Sequence, residues 1–308
     1  MFLELRIWKY AGRLDLKDKV LRGITDNKFI RFFAVNSTAT VQEAVDLHNL
    51  SITSSVLLGR LISGALMMGM DLKSTNDSLT LKIDGDGPIG KALVTANRVG
   101  EVKGYVNNPQ AELPINKDTN TIDVKTAVGN GTLTIIKDLG MKNPYMGQVE
   151  IKYGTIAKDL TYYFVASEQV PSSVGLGVLI EPDGSIRQSG GFIVQLMPDT
   201  PEKVITQLET NLAKFPNLTD VMDMGFSIEK IIKKFILKGF KPEFLEEINA
   251  EYKCSCSYKK FENGLKLLSK AELQEAIEKD EELVVHCHFC NKDYKYGKTK
   301  IEKILETM

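Results

Sequence analysis

All four cysteines of this 308-residue chain fall near its C-terminal end, as CSC at Cys254 to Cys256 and CHFC at Cys287 to Cys290, with thirty residues between the pairs. Each pair has the spacing of metal ligands. Residues two apart on an extended strand project to one side, so Cys254 and Cys256 can face one ion, and a C-x-x-C turn gathers Cys287 and Cys290 into a knuckle. Four thiolates close a tetrahedral zinc shell and leave no position for water, so a structural or regulatory role is expected rather than catalysis. His286 and His288 flank Cys287 but are not needed to complete that shell. A reducing cytosol disfavours disulfides as the resting state.

The residues around the pairs are patterned to bring them together. Ser257 is placed to cap a helix carrying Phe261, Leu265 and Leu268. Ser269 with Glu272 spells a capping box ahead of Leu273, Ala276 and Ile277, and Thr299 with Glu302 spells another for a terminal helix. Residues 283–285 read as a strand entering the knuckle. A domain this small has little core, and structural zinc supplies on the order of 10 kcal/mol of folding free energy. Zinc-bound thiolates stay nucleophilic, so an oxidant can carry them through sulfenic acid to disulfide and remove that support.

Upstream, the stretch from Leu79 alternates apolar and polar residues in short runs broken by Gly, Asn and Pro, and similar runs recur at 133–137, 147–152, 160–165, 175–180 and 191–196. These are strand signals. With helices near 40–48 and 52–70, they predict an α+β fold with a sheet-rich N-terminal domain over 1–199. Thr200 as N-cap and Pro201 at the first helical position open a helical stretch, with Val204, Leu208, Leu212 and Phe215 on one face. A second helix follows Ser227, and Gly225, Gly239 and Pro242 break the segment into pieces too short to be stable alone. Residues 200–250 are therefore expected to form a metastable helical linker, and 251–308 the zinc-binding domain.

Composition narrows the functional classes. Lys and Arg number 39 against 40 Asp and Glu, and residues 251–308 hold eleven Lys, no Arg and eleven acids, which is not the basic face of a nucleic-acid module. The apolar run 52–70 contains Arg60 near its middle and Gly59, Ser63 and Gly64 for close packing, so it reads as a buried helix rather than a membrane span. The first residues, with Glu4, Arg6, Lys9 and Arg13 among apolar ones, lack the core of a secretory signal, and a cytoplasmic location is expected. Gly85, Gly87 and Gly90 spell G-x-G-x-x-G, but the strand-like KALVTA follows them, so no helix N-terminus is available for a pyrophosphate and no nucleotide is expected. His48 is the only histidine outside the last domain and has no sign of a catalytic triad around it.

Beyond the cysteines, the segments KIDGDGPIG, GYVNNP, TIIKDLG, DLTYYFVASEQVPSSVGLGV, GGFIVQLMP and CHFCNKDY make the chain resemble the thirty-three-kilodalton redox-regulated heat shock chaperones of bacteria from about Asp18 onward. The resemblance implies an ATP-independent holdase for unfolding client proteins, not an enzyme. It implies one zinc ion on Cys254, Cys256, Cys287 and Cys290 in the reduced state. It implies oxidation to the disulfides Cys254–Cys256 and Cys287–Cys290, zinc loss, unfolding of the linker and a homodimer. A constitutive zinc ribbon binding nucleic acid or a partner protein is the alternative.

Overall fold

The computed structural model describes residues 17–116 and 121–308. The opening sixteen residues, read above for a secretory signal, lie outside the described residues. Residues up to Tyr252 form one compact unit and Lys253–Met308 a second.

The first unit opens with β1 (Lys19–Thr25) and β2 (Ile30–Asn36), followed by the helices Thr38–His48 and Ile52–Gly69. The meander β3 (Ser78–Gly85), β4 (Lys91–Asn97) and β5 (Glu101–Val106) comes next, then the short pair β6 (Ile115–Asn116) and β7 (Thr121–Ile122). After them come β8 (Gly131–Asp138), β9 (Tyr145–Glu150), β10 (Ser172–Ile180) and β11 (Ile186–Leu196). The chain returns at β12 (Pro242–Asn249) and β13 (Glu251–Tyr252). One antiparallel sheet has the order β10-β11-β2-β1-β12, and the other the order β13-β5-β4-β3-β8-β9, with only the β13–β5 pair parallel.

The helix Ile52–Gly69 packs against strands of both sheets and carries the main core, with Leu57, Leu58, Leu61, Ile62, Leu66 and Met67 fully buried. It is long and apolar enough to cross a membrane, yet 89% of it is buried inside the protein, as expected of a core helix. Gly59 lets it approach closely, since a Cβ there would meet Val41 at 2.8 Å and Val178 at 2.9 Å. Ser63, one turn on, satisfies its hydroxyl against Gly59 O at 2.9 Å and Ser37 Oγ at 2.8 Å.

A second apolar cluster occupies the other face of the five-stranded sheet. Leu21, Ile30, Phe32, Ala34, Phe192 and Val194 from the sheet meet Val204, Leu208, Leu218, Val221, Met222, Ile228, Ile231, Ile232 and Ile236 from the following segment. That segment consists of the helices Glu202–Ala213, Leu218–Asp223 and Ile228–Ile231, the last running into a π-helical turn Ile232–Ile236. The helix starts after Ser227 as expected, and the Ser227 side chain caps it by accepting from the Lys230 amide.

Several expectations need correction. Residues 160–165 are helical, inside Ala157–Ala166, because Asp159, Leu160, Tyr163 and Phe164 form one buried helical face. Residues 242–249, assigned above to a helical linker, form the strand β12, whose alternating half-buried and exposed residues fit a sheet edge. Thr200 does not cap its helix. Its hydroxyl donates to Phe29 O at 3.1 Å and Met197 O at 2.6 Å, and the helix starts one residue later with Pro201 as its cap. Gly85 ends β3, and Gly87 and Gly90 lie in its connection to the paired strand β4, as the strand-like run after them required.

In the second unit, β14 (Leu283–Cys287) and β15 (Lys292–Tyr296) form a hairpin beside the helices Tyr258–Leu265, Lys270–Glu278 and Lys298–Glu306. Its core consists of Leu265, Leu273, Ala276, Tyr294, Tyr296, Ile301 and Ile304 with two of the cysteines. The Ser269–Glu272 capping box forms, while the last helix begins at Lys298 behind Gly297 with no side-chain cap, so Thr299 and Glu302 make no box.

Candidate metal centre

The two cysteine pairs reach one point from different local structures. Cys254 and Cys256 lie in an extended connection without regular structure, not on a strand, directly before the helix that Ser257 caps. Cys287 ends β14, and the chain turns back so that the amides of Cys290 and Asn291 both bond to Cys287 O, at 3.3 and 2.8 Å. Asn291 accepts the left-handed backbone that this turn requires, at φ 52°.

The four Sγ atoms lie within 4.8 Å of one another. Cys254 and Cys287 are 3.8 Å apart and Cys256 and Cys290 3.1 Å. A tetrahedron with Zn–S bonds of about 2.3 Å has edges of about 3.8 Å, so the donor set has the size and chemistry of a four-thiolate zinc site. Cys287 and Cys290 are buried and Cys254 and Cys256 half-buried. His286 points away, with its Nδ1 2.7 Å from Asp293 and its ring against that of His288.

The spacing argument missed Tyr294. Its hydroxyl lies 2.9 Å from Cys256 Sγ, and its ring is held by Tyr258 at 5.0 Å and Phe261 at 4.7 Å. The signal for it was the aromatic residue at the end of CHFCNKDY, whose alternation along β15 aims Tyr294 and Tyr296 at the same buried side. The electrostatics are uneven. Burial opposes ionisation of Cys256, but hydrogen bonds from Tyr294, Cys290 and Cys254 outweigh it and bring that thiol down to about 7. Burial pushes the thiols of Cys254 and Cys290 up. Cys256 thus gives up its proton more readily than Cys254 or Cys290.

His48, the histidine outside this unit, ends its helix. Its Nε2 lies 3.0 Å from the Tyr252 hydroxyl, which in turn donates to Gly104 O at 2.7 Å and accepts from Gly104 N–H at 3.2 Å. This anchors β13, two residues before Cys254 in the chain.

Residues 18–297 match the family described as Hsp33 protein. A 33 kDa chaperonin of Clostridium perfringens is 44% identical over 292 residues, covering 94% of this chain and 92% of that protein. The 33 kDa chaperonin of Bacillus subtilis is 42% identical over 286 residues, covering 92% and 97%. The crystal structure of the 33 kDa chaperonin from Thermotoga maritima superposes with a TM-score of 0.86 at 32% identity, covering 95% of this chain and 99% of that one.

Proposed function

Since the chain belongs to the Hsp33 family, we propose that it is a molecular chaperone that holds unfolding proteins and is switched on by oxidation of Cys254, Cys256, Cys287 and Cys290. The observation that carries this reading is the convergence of those four thiols, and no other Cys, on a site of zinc dimensions in a unit with little core of its own. Zinc, when bound there, supplies the folding free energy that so small a core lacks. Each thiolate pair, with one peroxide and two protons, gives one disulfide and two waters, and the disulfide sulfurs are poor metal ligands.

The client surface in this reading is the second apolar cluster. Residues 200–250 cover the sheet face bearing Phe32 and Phe192, and the chain enters the cysteine unit directly after them. Once the cysteine unit melts, the segment that precedes it in the chain no longer runs into a folded neighbour, and in this reading its short helices lift off and the covered face opens to clients. Binding of this kind needs no ATP.

The test is to warm the zinc-loaded protein mildly with peroxide, following zinc release with a chromophoric chelator and client aggregation by light scattering. Peptide mapping of the oxidised protein assigns the disulfides, expected as Cys254–Cys256 and Cys287–Cys290. Equal protection by reduced and oxidised protein would refute the switch.

A further inference from the structure

The strand β12 is bound to the rest of the first unit much as a peptide is bound to a receptor. It adds to the free edge of β1, and the ladder runs on at both ends through Asp26 N–H to Lys241 O and Ala250 N–H to Asp18 O, each 2.9 Å. A bulge lies at Leu245, because Arg22 pairs with Glu246 while Gly23 pairs with Phe244. Two residues facing one re-aims the side chains on either side of the bulge. Phe244 therefore turns to the face carrying Phe32, with the rings 5.3 Å apart in an edge contact over Gly23. Gly23 admits no larger residue, since a Cβ there would meet Phe32 at 2.2 Å and Glu243 O at 2.4 Å. Ile248, beyond the bulge, packs on the opposite, main core.

Between these two anchors lies a carboxylate receptor. Arg98 binds both oxygens of Glu246, at 2.9 and 3.1 Å, with Arg22 Nη1 at 4.0 Å. The other terminal nitrogen of Arg98 donates to Met70 O at 3.1 Å and Leu72 O at 3.0 Å, behind the core helix. Those carbonyls hold the guanidinium in place whether or not Glu246 is present. Lys19 adds Glu247 at 3.3 Å.

We propose that the β1 edge, with Phe32 and Gly23 at one end and Arg98, Arg22 and Lys19 at the other, is a strand-addition site for an extended client segment, and that residues 241–250 occupy it as a built-in substitute client. The proposal rests on the reading above for how β12 is released. Backbone pairing supplies affinity without regard to sequence, as strand addition generally does, and the side-chain sites add a preference. The favoured segment carries an aromatic residue, an acid two positions on and an aliphatic residue two further, the order of Phe244, Glu246 and Ile248. An open edge of this kind is normally guarded in a folded protein, and here the guard is the acidic strand itself.

The probe is a fluorescent peptide, KPEFLEEINA, titrated by anisotropy into the full chain in two forms: oxidised wild type, and a reduced double variant, Phe244→Ala with Ile248→Ala, whose own strand is weakened. Circular dichroism verifies that the variant is folded, and the oxidised wild type serves if it is not. Binding to either form is expected to exceed binding to reduced wild type by about tenfold or more, and to fall by a similar factor for peptides carrying Glu246→Lys or Phe244→Ala. A scrambled peptide that binds equally well overturns the site, as does indifference to strand weakening in both forms. In a parallel scattering assay the peptide should relieve client protection. Full protection at saturating peptide assigns clients elsewhere and overturns the proposal while leaving the chaperone reading intact. Peptide-sensitive dimerisation without client competition gives the groove to a second copy and overturns it as well. If oxidised protein protects no client but the peptide binds with the expected preferences, the switch reading fails and the groove stands.

Discussion

Tyr294 gives the cysteine cluster a polar partner that no spacing rule names. Its hydroxyl bonds to Cys256 while its ring packs edge-on against Tyr258 and tilted against Phe261, so Tyr294→Phe keeps the packing and deletes one hydrogen bond. Outer partners of metal ligands typically change metal affinity by about 10- to 100-fold. Chelator competition should show zinc held more weakly by that order in Y294F, with an unchanged far-ultraviolet spectrum. At the other end of the chain, Asp18 Oδ2 accepts the Thr40 amide and caps the helix Thr38–His48 from outside it. Burial raises its carboxyl above the usual value of 3.8 despite that bond and those from neighbouring amides. The folded state thus holds the proton more tightly than the unfolded state. The group's contribution is greatest at acid pH and is lost as pH rises through the raised value. Asp18→Asn keeps an acceptor and removes the buried charge, so its melting temperature should exceed that of wild type at neutral pH, and the gap should close as pH falls to the unfolded value.

The helices over the five-stranded sheet are short and each buries only a few side chains, which makes single substitutions informative. Ile231 is fully buried between its helix and the sheet. Ile231→Ala should cost about 2–5 kcal/mol by urea titration and give client protection without oxidant. These elements also show what the sequence disclosed. Polar punctuation was partly legible: Ser257 and the Ser269–Glu272 box cap the helices expected of them, because capping is a contact within a few residues. Long-range pairing was not. Nothing near Pro242 announces that β12 joins β1, more than two hundred residues earlier, and its acidic residues hid an alternation that only the edge of a sheet explains. The 160–165 run was misread because its apolar residues suit both periods, and only burial of Asp159, whose carboxylate accepts the Lys152 and Tyr153 amides at 3.0 and 2.9 Å, fixes it as helix. For the candidate metal centre, spacing pointed to the four cysteines that the fold brings together, whereas the irregular connection carrying Cys254 and Cys256 was not legible.

At the scale of the whole molecule, the two units differ in what holds them. The larger has a core built on the central helix and a second cluster behind one sheet, while the smaller buries only a few residues, two of them members of the thiol cluster. A strong chelator with reductant should therefore abolish protection of amides in 253–308 against hydrogen exchange while leaving the inner strands β2, β3 and β4 protected. Uniform loss across both units would show that the smaller one does not depend on its thiol site. The covering segment follows β11 without a break, so the lifting proposed above leaves it attached at that end. A cover tethered by a short chain stays near its site at an effective concentration in the millimolar range. In the proposed switch, a bound client competes throughout its stay with a neighbour that never diffuses away, and restoring the thiols tilts a standing competition rather than starting a new search. Discharge of the client is in that sense written into the order of the strands.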